Sequence, residues 1–319
     1  MPEPESAPTL RQYSYLGPAG TFTEAALAQV PEARGQRWKS VHNVGEALAD
    51  VVEGSSHAAM IAIENSVDGG VSTAQDALAT IPGLRIIGEY LVPVDFVLVA
   101  RPGVRLEDVK LVSAHPVAYA QCLQWLSRSL PEHAHIPAAS NVASALGILE
   151  GTSDADAAIS PPGILDHHEL DLLAEKIGDN DNAVTRFVLV GRTVAPPPAT
   201  GADKTSLIVE LPDDHPGALL EMLEQFATRG INLSLLASRP IGDSLGRYRF
   251  VIDADGHIQD ERMADALMGL RRFSPKVIFL GSYPRADRSI VRYSERYADD
   301  VFVEARDWLR GLLSGEPGV

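Results

Sequence analysis

The stretch "TVAPPPATGAD", Thr193–Asp203, places three consecutive prolines among Ala, Thr and Gly. Proline fixes φ and lacks an N–H, so this run excludes a continuous helix or a central strand and reads as a linker. The hydrophobic period differs on its two sides. Before it, short apolar runs alternate with helical stripes: "YSYLG" and "TFTEAALAQV", "AAMIAIEN" and "VSTAQDALAT", "VKLVSAH" and "PVAYAQCLQWLSRSL", "NVASALGILE" and "ADAAIS". "EYLVPVDFVLVA" is a long extended run interrupted at Pro93, and "TRFVLVGR" closes the region as a strand. Such alternation predicts an α/β region with a parallel or mixed sheet. After the linker, Leu207, Val209 and Leu211 alternate, and Leu219, Leu220, Leu223, Phe226 and Ala227 follow a helical stripe. Ile231, Leu233 and Leu235 alternate again, as do Tyr248, Phe250 and Ile252 beyond a Gly-Asp turn. "ERMADALMGLRRF" then reads as a helix and "KVIFLGSY" as a strand. The order β-α-β-β-α-β is that of a ferredoxin-like unit.

Other functions are bounded by composition. A chain of 319 residues with 45% hydrophobic side chains is long enough for two to three domains with ordinary cores. A net charge of −16 argues against a nucleic-acid partner, which requires a basic surface to displace counterions. No apolar run approaches the ~20 residues that cross a bilayer. "MPEPESAPTLRQ" lacks the basic start and apolar core of a secretory signal, and reads as a disordered lead-in over 1–12. The single cysteine, Cys122, allows no internal disulfide and fits a reducing cytoplasm. In the tail, 285–319, Val301, Ala305, Trp308, Leu309 and Leu312 form one amphipathic stripe, expected to pack back on the protein.

Polar residues gather at predicted strand ends and helix starts, where ligands bind in open α/β folds. They are Gly17 to Phe22, Glu64-Asn65-Ser66, His115 with Gln121, Ser140-Asn141, and Thr185-Arg186. Meeting in one cleft, they would supply donors for an anionic, oxygen-rich small molecule. Each also has a structural reading. Gly17–Gly20 makes a turn and lacks the G-x-G-x-x-G fingerprint of dinucleotide binding. Thr21, followed by Glu24, caps a helix. Asn65 and Ser66 make a turn and a cap, His115 is a structural histidine, and Arg186-Phe187 sits in a strand beside an ion pair. Cys122, with Leu123 and Leu126, reads as core rather than nucleophile. Asp166-His167-His168-Glu169 reads as a solvated face, because adjacent side chains diverge. No structural-zinc pattern, P-loop or G-x-S-x-G is present.

Taken in order, "YLGPAGTFTEAAL", "IENSVDGGV", "HPVAYAQC", "SNVASA", "DNDNAVTRFVLVGR", "HPGALLEML", "RGINLSLLASRP" and "FLGSYP" resemble prephenate dehydratase from Tyr15 to about Pro284. The resemblance implies a two-lobed catalytic region over 13–192, similar to type II periplasmic binding proteins. Lobe 1 is expected at about 13–89 and 180–192, and lobe 2 at about 91–178. An ACT regulatory domain is expected over 204–284, after the 193–203 linker, which is also where the ferredoxin-like pattern falls. The implied reaction converts prephenate to phenylpyruvate with loss of water and carbon dioxide. It has no redox step, so no nicotinamide, flavin or metal cofactor is expected.

The same resemblance implies site roles. Thr185 faces the leaving hydroxyl, with Glu64 an alternative acid. Arg186 either offers a carboxylate its planar fork or, since alternation puts it on the face opposite Thr185, anchors the strand; Phe187 shares the face of Thr185 and flanks the ring. Thr21, Asn65, Ser66 and Gln121 contact substrate oxygens. Gly217, Ala218, Leu219, Asn232 and Leu233 bind phenylalanine, at an interface that makes the chain a homodimer or homotetramer. Two departures stand out: Ala114 where serine often precedes His-Pro, and Ala237 where the family motif carries glutamate. The first puts a substrate contact in question; the second puts the strength, sign or effector of regulation in question. With the first motif beginning by Tyr15, no fused all-helical chorismate mutase is expected. Arogenate dehydratase and a small-molecule sensor are the alternatives; the sensor lacks an output module and has no need of Thr-Arg-Phe.

Overall fold

The computed structural model describes residues 10–67, 69–192, 194–212, 215–242 and 247–315. Most of the lead-in, Thr193 of the linker and much of the Gly-Asp turn lie outside them. Described residues up to Ala74, with Tyr90–Leu189, form one compact unit; Gln75–Glu89, with Val190 onward, form a second.

The chain runs β1 (Gln12–Leu16), α1 (Phe22–Ala28), β2 (Arg37–Val41), α2 (Val44–Glu53), β3 (Ala58–Asn65), β4 (Gly69–Gly70), α3 (Ser72–Thr80) and β5 (Leu84–Pro93). It continues β6 (Val97–Ala100), β7 (Leu111–Ala114), α4 (Pro116–Ala120), α5 (Leu123–Ser129), β8 (Ala134–Pro137), α6 (Asn141–Glu150), β9 (Ala157–Ser160), β10 (Asp171–Ala174) and β11 (Val184–Arg192). The helices begin and end where their caps require. Asn43 accepts from Glu46 N at 2.9 Å before α2, and Ser140 accepts from Ala143 N at 3.0 Å before α6. Gly54 and Gly151 close these two helices in the left-handed region, at φ 80° and 70°.

One sheet has the order β2-β1-β3-β11-β5, with β4 on β3. Its β1–β2 and β1–β3 pairs are parallel. The other has the order β10-β6-β9-β7-β8 and is mixed: β7 runs parallel to β8 and β9, while β6 runs antiparallel to β9 and β10. Both faces of this second sheet are covered. Val97, Val99 and Ala158 face Val142, Ala145 and Ile148 of α6; Leu98, Val112 and Ile159 face Ala118, Cys122 and Leu126. That is why "VLVA" and "AAIS" are continuous apolar runs rather than alternating ones.

The second unit holds β12 (Asp203–Glu210), α7 (Ala218–Ala227), β13 (Leu233–Pro240), β14 (Tyr248–Asp255), α8 (Glu261–Phe273), β15 (Lys276–Pro284) and α9 (Asp299–Leu313). Its sheet is antiparallel in the order β13-β14-β12-β15. Leu207, Val209, Phe250 and Ile252 pack with Met222, Phe226, Met263 and Leu270 of the two helices. Residues 75–89, expected with the first lobe, contribute β5 to the first sheet and also form ion pairs within this unit. Asp76 meets Arg239 at 2.7 Å and Arg249 at 3.0 Å, and Glu89 meets Lys204 at 2.7 Å. These ion pairs link positions far apart in sequence, so hydrophobic period carries no sign of them. The tail returns to α8, where Arg306 meets Glu261 at 2.5 Å, but through charged groups and not through its apolar stripe. Among the described residues, α9 buries no side chain, and Trp308 is 55% exposed. It is held at its start, where Glu261 N donates to Asp299 Oδ1 at 2.9 Å.

Candidate active site

The end of β3 lies beside the start of β11. Ser66 N donates to Val184 O, and Val184 N donates to Ser66 Oγ, both at 2.9 Å. This clip brings Glu64-Asn65-Ser66 against Thr185-Arg186, about 120 positions further along the chain. The Ser66 hydroxyl is therefore already an acceptor for backbone.

Asn65 and Thr185 form the central pair. Asn65 Oδ1 accepts from Val67 N at 2.8 Å, which fixes the amide with Nδ2 as the outward donor. Nδ2 donates to Thr185 Oγ1 at 2.9 Å. A hydroxyl that accepts in this way still has its own proton to give, and donation into it polarises that O–H bond. Thr185 is 8% exposed, so few waters compete for the proton.

One residue on, the side chain turns to the other face of the strand. There Arg186 Nη1 stands 3.4 Å from Glu64 Oε2, with Arg186 buried and Glu64 one-third exposed. The pair gives the guanidinium a resident anion and the carboxylate a resident cation. Phe187 returns to the face of Thr185 but is 2% exposed. Its ring is a core side chain, not an open wall of a cleft, because this part of β11 is buried on both faces.

The loop from Gly17 to Thr21 is tightly determined. A Cβ on Gly17 would overlap the Ser40 side chain. Gly20 sits at φ +87°, and a Cβ there would lie 2.9 Å from Ile164 Cα. Thr21 is the N-cap of α1: Oγ1 accepts from Glu24 N at 3.3 Å and donates to Leu16 O at 3.2 Å. The Glu24 carboxylate reaches past the cap and accepts from Gly20 N, one residue before Thr21, at 2.6 Å. The same loop meets the second sheet's lobe. Phe22 packs edge-on to Phe96 with ring centroids 5.7 Å apart, and Gly20 lies against Gly163 and Ile164.

The second lobe contributes its own helix starts. His115 accepts from Val117 N at 3.3 Å as the cap of α4, and its backbone N–H donates to Asn141 Oδ1 at 3.0 Å. Gln121 ends α4, half-buried, and its carbonyl accepts from Asp179 N at 2.7 Å. Asp179 caps α5 through Gln124 N and Trp125 N. Cys122 is buried, and burial pushes its thiol up to about 12, as suits a core residue. Among the described residues, no three His, Cys, Asp or Glu side chains are placed to hold a metal ion. The Asp166–Glu169 run instead sends His167 Nε2 to Glu24 Oε2 at 2.8 Å.

In the second unit, Gly217 caps α7 at φ 99°, a conformation that favours glycine. Ala218 is buried, Leu219 is exposed and Leu233 is half-buried. Asn232 Nδ2 donates to Asp255 Oδ2 at 2.8 Å.

Residues 13–195 match the family described as prephenate dehydratase, and residues 205–272 match the ACT domain. The chain belongs to the prephenate dehydratase family. It is 40% identical over 317 residues to prephenate dehydratase of Mycolicibacterium vanbaalenii, covering 95% of this chain and 99% of that one. The solved structure of a prephenate dehydratase from Arthrobacter aurescens in complex with L-Phe is 53% identical, with a TM-score of 0.92 and coverage of 95% and 99%. A second solved structure, described as a novel type of quorum quenching acylase, is 28% identical, with a TM-score of 0.77 and coverage of 86% and 98%. The fold therefore hosts more than one named activity, and function must be argued from the site.

Two further contacts leave no signal in the sequence. The capping-box spacing singles out Glu24, but nothing in it marks His167 as a second donor. Nothing in the segment "RGINLSLLASRP" marks Arg239 as the partner of Asp76.

Proposed function

We infer that this family member catalyses the decarboxylative dehydration of prephenate to phenylpyruvate. The ring carboxylate leaves as carbon dioxide, its electron pair enters the ring, and the ring hydroxyl leaves with one proton as water. The observation that carries the reading is the Asn65-to-Thr185 hydrogen bond with its amide direction fixed by Val67. It leaves a polarised, nearly buried O–H to meet the departing oxygen, which is the charge that develops in the transition state. Arg186, on the other face of β11 and paired with Glu64, anchors the strand end in this reading. Glu64 serves in this reading as its counter-ion and holds the guanidinium in place. Thr21, Ser66 and Gln121 act around this pair through second lone pairs, donors or backbone groups. Phe187 acts from below, by packing.

We assign L-phenylalanine as the effector, supported by the ACT match and by the L-Phe complex of the Arthrobacter relative. Gly217, Ala218 and Leu219 at the start of α7, with Asn232 and Leu233, suit an amino-acid ligand: helix-start amides for the carboxylate, leucine for the ring. A cytoplasmic homo-oligomer is part of the same reading. Its support is the edge strand β13, which has one unpaired side among the described residues and Leu236 exposed. No described helix is long and apolar enough to cross a membrane.

The test is phenylpyruvate formation from prephenate and, side by side, turnover of arogenate, by wild type and Thr185→Val, with and without L-phenylalanine. Wild-type turnover of prephenate that falls at least a hundredfold in Thr185→Val supports the reading. Wild type active on arogenate alone, or Thr185→Val active as wild type, overturns it.

A further inference from the structure

We propose that His167 is a positioning residue for the dehydratase site: from the second lobe it fixes Glu24, and through Glu24 the Gly17–Thr21 loop of the first. The inference rests on the dehydratase reading above. Its geometry is a three-membered chain. Glu24 Oε2 accepts from Gly20 N at 2.6 Å and meets His167 Nε2 at 2.8 Å. Glu24 N in turn donates to Thr21 Oγ1, and Tyr15 OH reaches Glu24 Oε1 at 3.4 Å. One carboxylate thus joins the helix cap, the glycine loop and the opposite lobe.

The backbone around His167 supports this assignment. His167 N donates to Ile164 O at 3.2 Å, closing the turn that lies against Gly20. The side-chain bond and the backbone approach therefore come from one turn and act on one loop. Glu24 is mostly shielded, at 16% side-chain exposure, and His167 is about one-third exposed. A donor to a shielded carboxylate holds more strongly than a fully solvated pair. Within the Asp166–Glu169 run it is His167 that supplies this bond; the ring of His168 stands 6.4 Å from that of His167.

Removing the donor lets the loop and the turn separate more often. Substrate affinity then falls with the fraction of molecules that keep the aligned arrangement, whereas bound complexes react as before. His167→Leu is expected to raise KM for prephenate about three- to tenfold, with kcat within about twofold of wild type. His167→Gln keeps an N–H donor of similar reach and is expected to restore KM to within about twofold. In a Glu24→Ala background, which removes the acceptor, His167→Leu is expected to add less than about twofold.

Steady-state kinetics of the full chain on prephenate, with thermal melts of every variant, reads all of this. Wild type that does not turn over prephenate overturns the dehydratase reading, and it is measured first. Wild type that is active, with KM unchanged in His167→Leu, overturns the positioning role alone. A His167→Gln variant as impaired as His167→Leu, or kcat and melting temperature falling together at constant KM, also overturns it.

Discussion

Asn65→Asp changes one atom and reverses one hydrogen bond. The introduced carboxylate has nearly the shape of the amide, and its Oδ1 can still accept from Val67 N, as the amide oxygen does at 2.8 Å. Its other oxygen, 2.9 Å from Thr185 Oγ1, is now an acceptor where Nδ2 was a donor. Thr185 must give its proton to that oxygen, and the leaving hydroxyl loses its donor. Loss of one such donor costs about 10²–10³ in kcat, or ~2.7–4 kcal/mol. The added charge acts separately. A substrate carboxylate in the same cleft is repelled by that charge, which lowers affinity. The prediction is therefore a kcat loss of about 10²–10³ with a raised KM, read as phenylpyruvate formation. Acidification works in the variant's favour, because the protonated carboxyl can again donate to Thr185; its activity relative to wild type rises as pH falls. Adding Asn65→Asp to Thr185→Val is expected to lower kcat by less than about twofold more, since both changes remove the same proton. An Asn65→Asp protein with a native melting profile and kcat within about threefold of wild type at neutral pH would refute the assignment of that proton to Thr185.

Two predictions concern the second unit. Lys204→Met removes one charged donor from the buried Glu89 carboxylate, which keeps Ala286 N, and is expected to cost about 1.5–3 kcal/mol in urea unfolding; a loss below about 0.5 kcal/mol would show that the pair is not what holds 75–89 in place. Asp76 is held below the usual carboxylate range, chiefly by the hydrogen bond from Arg239 and also by Arg249. A depressed value in the folded state means stability that is present above the unfolded value of about 3.9 and is lost as pH falls through the folded one. The urea midpoints of wild type and Asp76→Asn are therefore expected to differ at pH 5 and converge towards pH 3, and a constant gap would exclude the carboxylate as the source.

Local features of this chain are legible in its sequence, because each rests on neighbours a few residues apart. The β-α-β-β-α-β order follows from periods of two and 3.6, and the Thr21–Glu24 cap follows from its spacing. Cys122 is legible as core because apolar neighbours surround it. What is not legible depends on partners that lie far along the chain. Residues 75–89 read as part of the first lobe and supply β5 to its sheet; what the sequence does not show is that Asp76 and Glu89 also meet Arg239, Arg249 and Lys204. The stripe on α9 suggests a buried face, and amphipathicity names no partner to bury it. Alternation puts Phe187 on the face of Thr185, but burial of that stretch of β11 makes the ring a support from within. The candidate site divides along the same line. Glu64, Asn65, Ser66, Thr185 and Arg186 are legible as residue types at strand ends, and the fold brings them together. The direction of the bond between Asn65 and Thr185 is not, because it is set by Val67 N, a backbone group with no signature of its own. That direction separates a threonine hydroxyl that only closes a strand end from one with a proton to give. The chemistry proposed here turns on a turn amide as much as on the Thr-Arg-Phe set.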